Sequence, residues 1–363
     1  MSQQNRSIHK LKSFTISATM ACNLRCAHCY VTAGKPVKWE VETEDVFRVI
    51  DQGVELGVQA ITFTGGEVFM RKDLIKIVKH AVGKGCRVSF ETNGTFLTQE
   101  RVQQLTAIDR NIFFAVSLDG ISPSTHESLR GVLGCFELTM KGIRNLREVG
   151  FPLQVITVLN KLNIGEIPSL IQFVLKDLRA TSRILILSPQ GRARENQGLA
   201  LSVNEIHQFL CRVIFPWMRQ TRYVHVDLPI ALIPPDLKTK PICPWGFTLM
   251  GMSPDGYIGL CERIEDAPGL WGGHIRTHSL EEIWESEFYQ TLRSISVENL
   301  KGICGNCLAA NVCRGRCRAS AYYLSSGDLY APEPTCQSFY QAGLFPRYAM
   351  LNPTKDCSYE FPT

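Results

Sequence analysis

Residues 21–30 read Ala-Cys-Asn-Leu-Arg-Cys-Ala-His-Cys-Tyr, so Cys22, Cys26 and Cys29 fall within eight residues directly after an apolar stretch at 13–19. Three thiolates this close can wrap one cubane iron–sulfur cluster while filling only three of its four irons, leaving the fourth for an outside ligand. A structural zinc site needs four ligands, usually in paired knuckles. The nearest fourth ligand here is His28, adjacent to Cys29 and badly placed to close a tetrahedron.

Working outward, the stretch 13–19 begins an alternation. Short runs rich in β-branched and aromatic residues occur at 13–19, 60–64, 87–92, 112–118, 153–159 and 183–187. Between them, 44–56, 74–82, 99–105, 136–149 and 167–178 repeat apolar residues at helical spacing. Strands alternating with helices through short connections imply a parallel sheet. Six such units fall short of the eight that close a barrel. The expected fold is therefore α/β: an open, partial (β/α)6 TIM-like barrel at 13–200, after an N-terminal extension at 1–12. A bridging segment at 201–240 holds a helix at 203–218 and a proline-rich stretch. A cysteine-rich iron–sulfur domain is expected at 241–340, with a hairpin turn at 253–256 and a helix at 280–294, followed by a tail at 341–363.

Composition sets the boundaries. The 363 residues are 45% hydrophobic and 20% charged, ordinary for a globular enzyme. A net charge of +5 with both signs interspersed gives no reason to expect a nucleic-acid partner. No apolar run approaches about 18 residues, and the first residues lack the apolar core of a signal peptide, so a cytoplasmic location without membrane insertion is expected. In that reducing compartment the 14 cysteines point to metal rather than disulfides.

Polar and glycine-rich segments end four consecutive strands: the cysteine loop, Thr64-Gly65-Gly66-Glu67, Thr92-Asn93-Gly94, and Ser117-Leu118-Asp119-Gly120. Gly-Gly, Asn-Gly and Asp-Gly are ordinary turn formers individually. Together with the spacing of Cys22, Cys26 and Cys29 they resemble the radical S-adenosylmethionine (SAM) superfamily. The resemblance implies that the first cluster's open iron is chelated by the amino and carboxylate groups of SAM. Reductive cleavage of SAM then gives a 5′-deoxyadenosyl radical that abstracts hydrogen from substrate. It further implies that Gly65, Gly66, Glu67, Asn93, Ser117 and Asp119 line the SAM site, that Arg130 pairs with the SAM carboxylate, and that His28 packs near the adenine.

A second pattern follows: Cys243 and Cys261, then Cys304-x2-Cys307-x5-Cys313-x3-Cys317, and Cys336. It resembles the SPASM domain, an auxiliary-cluster appendage of many peptide-modifying radical enzymes. The resemblance implies two auxiliary [4Fe–4S] clusters. Cys304, Cys307, Cys313 and Cys336 would hold the outer one, and Cys243, Cys261 and Cys317 the inner one. An eighth cysteine found in some members is absent, which leaves the inner cluster with an open iron or a local cap. Glu262, next to Cys261, matches an acidic position that serves as catalytic base in one related group. Arg314, Arg316 and Arg318 interleave with the cysteines and would stabilise anionic clusters. Cys86, Cys135 and Cys211 read as small buried hydrophobes.

The implied activity is hydrogen abstraction from an external substrate, driven by a flavodoxin- or ferredoxin-type one-electron donor. Peptide modification (cross-linking, epimerisation or oxidative decarboxylation) is the leading expectation. Side-chain decarboxylation or related modification of a tetrapyrrole in a haem or haem d1 pathway is the alternative, and a zinc-stabilised binding protein the outsider. Only 21 residues precede Cys22, too few for the leader-binding domain of many peptide maturases, so a peptide substrate would call for a separate leader-binding protein.

Overall fold

The computed structural model describes residues 9–237, 243–244, 246–261 and 267–352. Strands β1 (Ser13–Ser17), β2 (Ala60–Thr64), β3 (Arg87–Thr92), β4 (Phe113–Ser117), β5 (Leu153–Leu159) and β6 (Thr181–Ile186) pair in parallel and in chain order. Helices α1 (Thr43–Glu55), α2 (Leu74–Gly83), α3 (Gln99–Thr106), α4 (Pro123–Arg130), α5 (Cys135–Val149) and α6 (Ile167–Lys176) lie between them. The six-unit partial barrel expected from periodicity is therefore present.

Register explains how one sheet builds both a core and a site. Side chains alternate faces along a strand. One face presents Phe14, Ile61, Phe63, Val88, Phe90, Phe114, Val155 and Ile184, each at most 3% exposed, to the helices. Phe63, Phe90, Phe114 and Phe151 stack in sequence with ring centroids 5.8, 5.4 and 5.1 Å apart. Each buried phenyl contributes about 2 kcal/mol by area. The opposite, concave face is polar. Thr62 and Ser89 hydroxyls meet at 2.8 Å, Thr64 donates to Glu91 at 3.3 Å, and Gln154 donates to Thr181 at 3.2 Å. A polar concave face over an apolar core fits a lumen that receives a polar ligand.

The structure departs from the periodicity reading at five places. The sheet has ten strands, because β7 (Val224–Asp227) adds parallel to β6, and β8 (Leu249–Met252) adds parallel to β1. Strands β9 (Tyr257–Gly259) and β10 (Trp271–His274) continue antiparallel from β8. At three or four residues each, these strands are too short to show a period. The cysteine-rich segment is thus hydrogen-bonded onto the barrel sheet, and the hairpin turn at 253–256 joins β8 to β9.

Helix α4 was not expected separately, although Ser122 caps it and Pro123 opens it. The helix expected at 203–218 is α7 (Val203–Phe209), a π turn at Leu210–Ile214 and α8 (Phe215–Gln220). Pro216 lacks the N–H that would continue the α-helical ladder there. The helix expected at 280–294 is two, α9 (Leu280–Trp284) and α10 (Glu287–Ser294), because Ser286 is extended between them. Short helices α11 (Gly302–Gly305), α12 (Ala310–Cys313), α13 (Arg318–Leu324) and α14 (Pro334–Gln341) complete the C-terminal part. Among the described residues no helix is long and apolar enough to cross a membrane.

Candidate active site and thiol pocket

Because β1 to β4 are parallel, the four polar strand exits meet at one rim. The cysteine loop is held there by backbone bonds from several directions. Cys22 N–H donates to Gly34 O at 3.0 Å, and Gly34 N–H to Met20 O at 2.9 Å. Arg25 N–H and Ala27 N–H donate to the carbonyls of Arg130 and Leu129 at the end of α4, at 3.0 and 2.8 Å. Those are carbonyls a helix end leaves unsatisfied. The Glu40 carboxylate accepts from Thr19 Oγ1 and Met20 N–H at 2.7 and 2.8 Å.

Gly65 and Gly66 allow a close approach, and what approaches is the cysteine loop itself. Gly66 N–H donates to Thr19 O at 2.7 Å and Glu67 N–H to Ala21 O at 2.8 Å. A Cβ on Gly65, at φ +136°, would lie 2.4 Å from Thr19 O, and one on Gly66 2.3 Å from Ala21 O. Glu67 is fully buried, with Oε1 accepting from Thr92 Oγ1 (2.7 Å) and Phe69 N–H (3.1 Å), and Oε2 from Asn93 N–H (2.8 Å). Burial pushes its carboxyl up, and these donors pull it back. The carboxylate ties the exits of β2 and β3 together. Asn93 passes this order on: its Nδ2 donates to Asn23 Oδ1 in the cysteine loop at 2.9 Å, and its Oδ1 accepts from Thr95 N–H at 3.0 Å.

Asp119 and Arg130 form a buried ion pair at 2.7 Å, with Asp119 fully buried. Val158 N–H donates to Asp119 Oδ1 at 2.9 Å. Arg130 Nη1 reaches Cys26 Sγ at 3.7 Å, placing a guanidinium on a first-cluster thiol. Burial is the largest single influence on Asp119 and raises its pKa, but Arg130, His28, His126 and the Val158 N–H together outweigh it, and the carboxyl stays low. Burial raises Cys26, against the pull of Arg130, and pushes Cys22 up to about 11. Burial also holds His28 and His126 down at about 4, both neutral. Among the described residues, buried His28 Nδ1 and Arg130 Nε have no hydrogen-bond partner. The half-buried Ser117 ends β4.

Four of the C-terminal cysteines converge. Cys304, Cys307, Cys313 and Cys336 line one pocket with Ala231, Ile303, Phe345 and Glu333. Among the described residues no three His, Cys, Asp or Glu side chains converge as ligands of one ion. Burial raises all four thiols, Cys313 to about 12. A bound group of high positive charge is what would replace those protons. Cys304 Sγ accepts from Glu333 N–H at 3.2 Å, while the Glu333 carboxylate caps α14 at Cys336 N–H, 2.7 Å away. Arg318, 5% exposed, spends its donors on carbonyls, including Leu329 O (2.9 Å) and Ala331 O (2.7 Å). Its strongest electrostatic partners are Cys304 and Cys317.

Cys243, Cys261 and Cys317 are not among the residues lining this pocket. Cys261 is buried, Cys243 and Cys317 half-buried. Cys317 Sγ caps α13 by accepting from Ser320 N–H at 3.4 Å. Glu262 lies outside the described residues, as does Cys357.

Two residues escaped the sequence reading. Glu333 sits in a loop with no motif, three residues before Cys336; a Glu-Pro pair preceding a helix was its only signal. Arg192, in what reads as a polar loop after β6, donates from Nε to Cys26 O at 3.0 Å and from Nη2 to Ala33 O at 2.8 Å. Its N–H reaches Cys29 O at 2.9 Å. Arg192→Ala removes the two side-chain bonds, about 2 kcal/mol of local stability. Iron in the reconstituted variant is expected to be stripped by a chelator several-fold faster than in the parent, followed by absorbance.

The chain matches the model of the radical SAM superfamily over residues 16–174, and that of SPASM, an iron-sulfur cluster-binding domain, over residues 243–308. It is 32% identical to the AdoMet-dependent heme synthase of Methanosarcina barkeri, over 88% of this chain and 94% of that protein. Identity to the AdoMet-dependent heme synthase of Oleidesulfovibrio alaskensis is 30%, covering 88% and 85%. The PqqA peptide cyclase of Rhizobium meliloti is 26% identical, covering 88% and 84%. Among solved structures, Streptococcus suis SuiB bound to S-adenosylmethionine superposes with a TM-score of 0.73 at 17% identity, covering 90% of this chain and 78% of SuiB; this likeness concerns the fold alone.

Proposed function

This chain belongs to the radical SAM superfamily and carries a SPASM domain, and from that premise we propose that it decarboxylates side chains of a tetrapyrrole in haem formation. That it is a radical SAM enzyme, with a [4Fe–4S] cluster, SAM and auxiliary iron–sulfur chemistry, follows from family membership. The substrate is the proposed part. The observation that carries it is the 32% identity to a haem synthase along 94% of that protein's length, which takes in both the barrel and the cysteine-rich region. Identity to the peptide cyclase is lower at similar coverage. Peptide modification, the leading expectation from motifs alone, therefore gives way to the tetrapyrrole reading, and no separate leader-binding protein is called for.

The residues present suit the implied groups. Cys22, Cys26 and Cys29 would hold the first cluster, with Arg130 against Cys26. Ser117 and the unpartnered atoms of His28 and Arg130 would meet SAM at the rim. Gly65, Gly66, Glu67 and Asn93 act by fixing the cysteine loop, and Asp119 by fixing Arg130. Cys304, Cys307, Cys313 and Cys336 would hold the outer auxiliary cluster; Cys243, Cys261 and Cys317 an inner one, with Glu262 beside it as base. Bound together, the first cluster and SAM supply a one-electron route to hydrogen abstraction. The chain's own part is to bury the thiol loop, hold a guanidinium on Cys26, keep His28 and His126 neutral, and offer substrate a polar concave face. An external flavodoxin- or ferredoxin-type donor would supply the electron.

The test is anaerobic turnover of reconstituted protein with SAM, dithionite and iron-coproporphyrin III, followed by mass spectrometry. Loss of carbon dioxide from the porphyrin, in step with 5′-deoxyadenosine, is the expected result. If 5′-deoxyadenosine forms while the porphyrin mass stays unchanged, the tetrapyrrole assignment is wrong although the radical chemistry stands.

A further inference from the structure

The polar concave face ends at β6 and β7 in a cluster of charge that none of the roles above uses. Ser182 and Ile184 are fully buried on the core side, so Arg183 between them points to the concave side. Arg183 pairs with His225 and Leu185 with Asp227, so Arg183 and Asp227 are diagonal neighbours on that face. Their side chains meet at 3.4 Å and are 38% and 35% exposed. From the cysteine-rich part, Arg316 bonds the other oxygen of Asp227 and also Leu228 O. Arg316 is 15% exposed and has φ +45°, in a run where Arg314 and Gly315 are also left-handed, at +50° and +70°. For non-glycine residues such backbone is strained, and it persists where the surroundings impose it.

Two guanidinium groups thus share one carboxylate. Glu333 acts on Arg316 from the thiol-pocket side, and Cys317 is its sequence neighbour. Among the described residues Arg183 forms an ion pair with Asp227 and with no second acid. Its contact with Asp227 is its one hydrogen bond among the described residues, out of the five N–H donors a guanidinium carries. The result is an accessible, preoriented fork with spare donors, set between the barrel lumen and Cys317. Gln190 closes the same junction by donating to Ser320 Oγ at 3.3 Å, and Ser320 in turn contacts Cys317.

We propose that Arg183, steadied by Asp227 and flanked by Arg316, is a binding site for a carboxylate arm of the substrate. This rests on the tetrapyrrole reading, in which the substrate carries several carboxylates. Arg183 binds one of them through paired N–H···O bonds, and Asp227 keeps the guanidinium from folding onto the sheet. That contact orients the macrocycle over the concave face with one edge towards the SAM rim and the other towards Cys317.

The test uses the full reconstituted chain, Arg183→Ala and Arg183→Lys, titrated by absorbance with iron-coproporphyrin III and with its methyl ester. Iron content and the cluster spectrum should match the parent, since among the described residues Arg183 bonds Asp227 and no thiol. The free acid is expected to bind Arg183→Ala at least tenfold more weakly, with Arg183→Lys between, and the ester to bind parent and variants alike. Unchanged affinity of Arg183→Ala for the free acid overturns the site while the tetrapyrrole reading stands. Equal weakening for acid and ester also overturns it, because shape and not charge is then being read. A parent protein that binds neither porphyrin overturns the substrate class itself, and the site with it.

Discussion

A Cys22/Cys26/Cys29→Ala variant is expected to fold, to lose about a third of roughly twelve irons at four per cubane, and to form no detectable 5′-deoxyadenosine. Folding should survive because the loop is held by groups other than sulfur. Arg25, Ala27, Gly34 and Cys22 donate through backbone N–H groups, and Arg192 clamps two carbonyls. Burial holds Cys22 and Cys26 protonated in the bare chain, so removing them strands no charge; Arg130 loses a long contact to Cys26 and Leu24 N–H one to Cys22. The matching Cys304/Cys313→Ala variant should lose another third of the iron, because both thiols line the outer pocket. It should still cleave SAM. Iron and sulfide quantitation with chromatography of the nucleoside reads both effects. Stoichiometric zinc in place of iron would return the protein to the binding-module reading.

Periodicity located the six barrel strands to within two residues because each is bounded by turn chemistry and has a fully buried alternate face. It missed β7 and β10, and of β8 and β9 gave only the turn between them, for a physical reason. Val-His-Val-Asp at 224–227 and Trp-Gly-Gly-His at 271–274 are too short to display a period, and their pairing is decided by neighbours far along the chain. The split of the 280–294 helix turned on Ser286, a good cap that also sits inside helices. The barrel was thus legible in local pattern, and its edges were not.

The site divides the same way. The SPASM resemblance grouped the four thiols that line one pocket, since metal ligands must be present as residue types whatever the fold. The supporting groups were harder to see. Arg192 and Glu333 belong to loops whose composition is unremarkable, and their contacts with Cys26 O and Cys336 N–H span about 170 and three residues respectively. Arg183 was placed in a strand, but its value as a spare guanidinium depends on Arg316, contributed from beyond residue 300. Glu67 and Asn93, which the resemblance assigns to the SAM site, also make hydrogen bonds within the chain that no motif announces.

Glu67→Ala is expected to be the most destabilising single substitution at this rim. The carboxylate is fully buried and accepts from Thr92 Oγ1, Phe69 N–H and Asn93 N–H. Alanine leaves three donors in a closed space, at about 1–3 kcal/mol each, so a loss of roughly 2–6 kcal/mol is expected even if one of them finds water. Against a typical total of about 5–15 kcal/mol, the variant should be largely unfolded at growth temperature or recovered with little iron. Glu67→Gln separates hydrogen bonding from volume. Its amide oxygen can still accept from Thr92 and Phe69, but its NH2 then faces the Asn93 N–H, donor against donor. It should lose roughly a third of what alanine loses and keep the first cluster. The released Asn93 would loosen Asn23 in the cysteine loop, so SAM affinity should weaken before iron is lost. Chemical denaturation with anaerobic iron content on both variants gives the ordering. Equal stability of alanine and glutamine variants would mean the three bonds are not what holds β2 to β3.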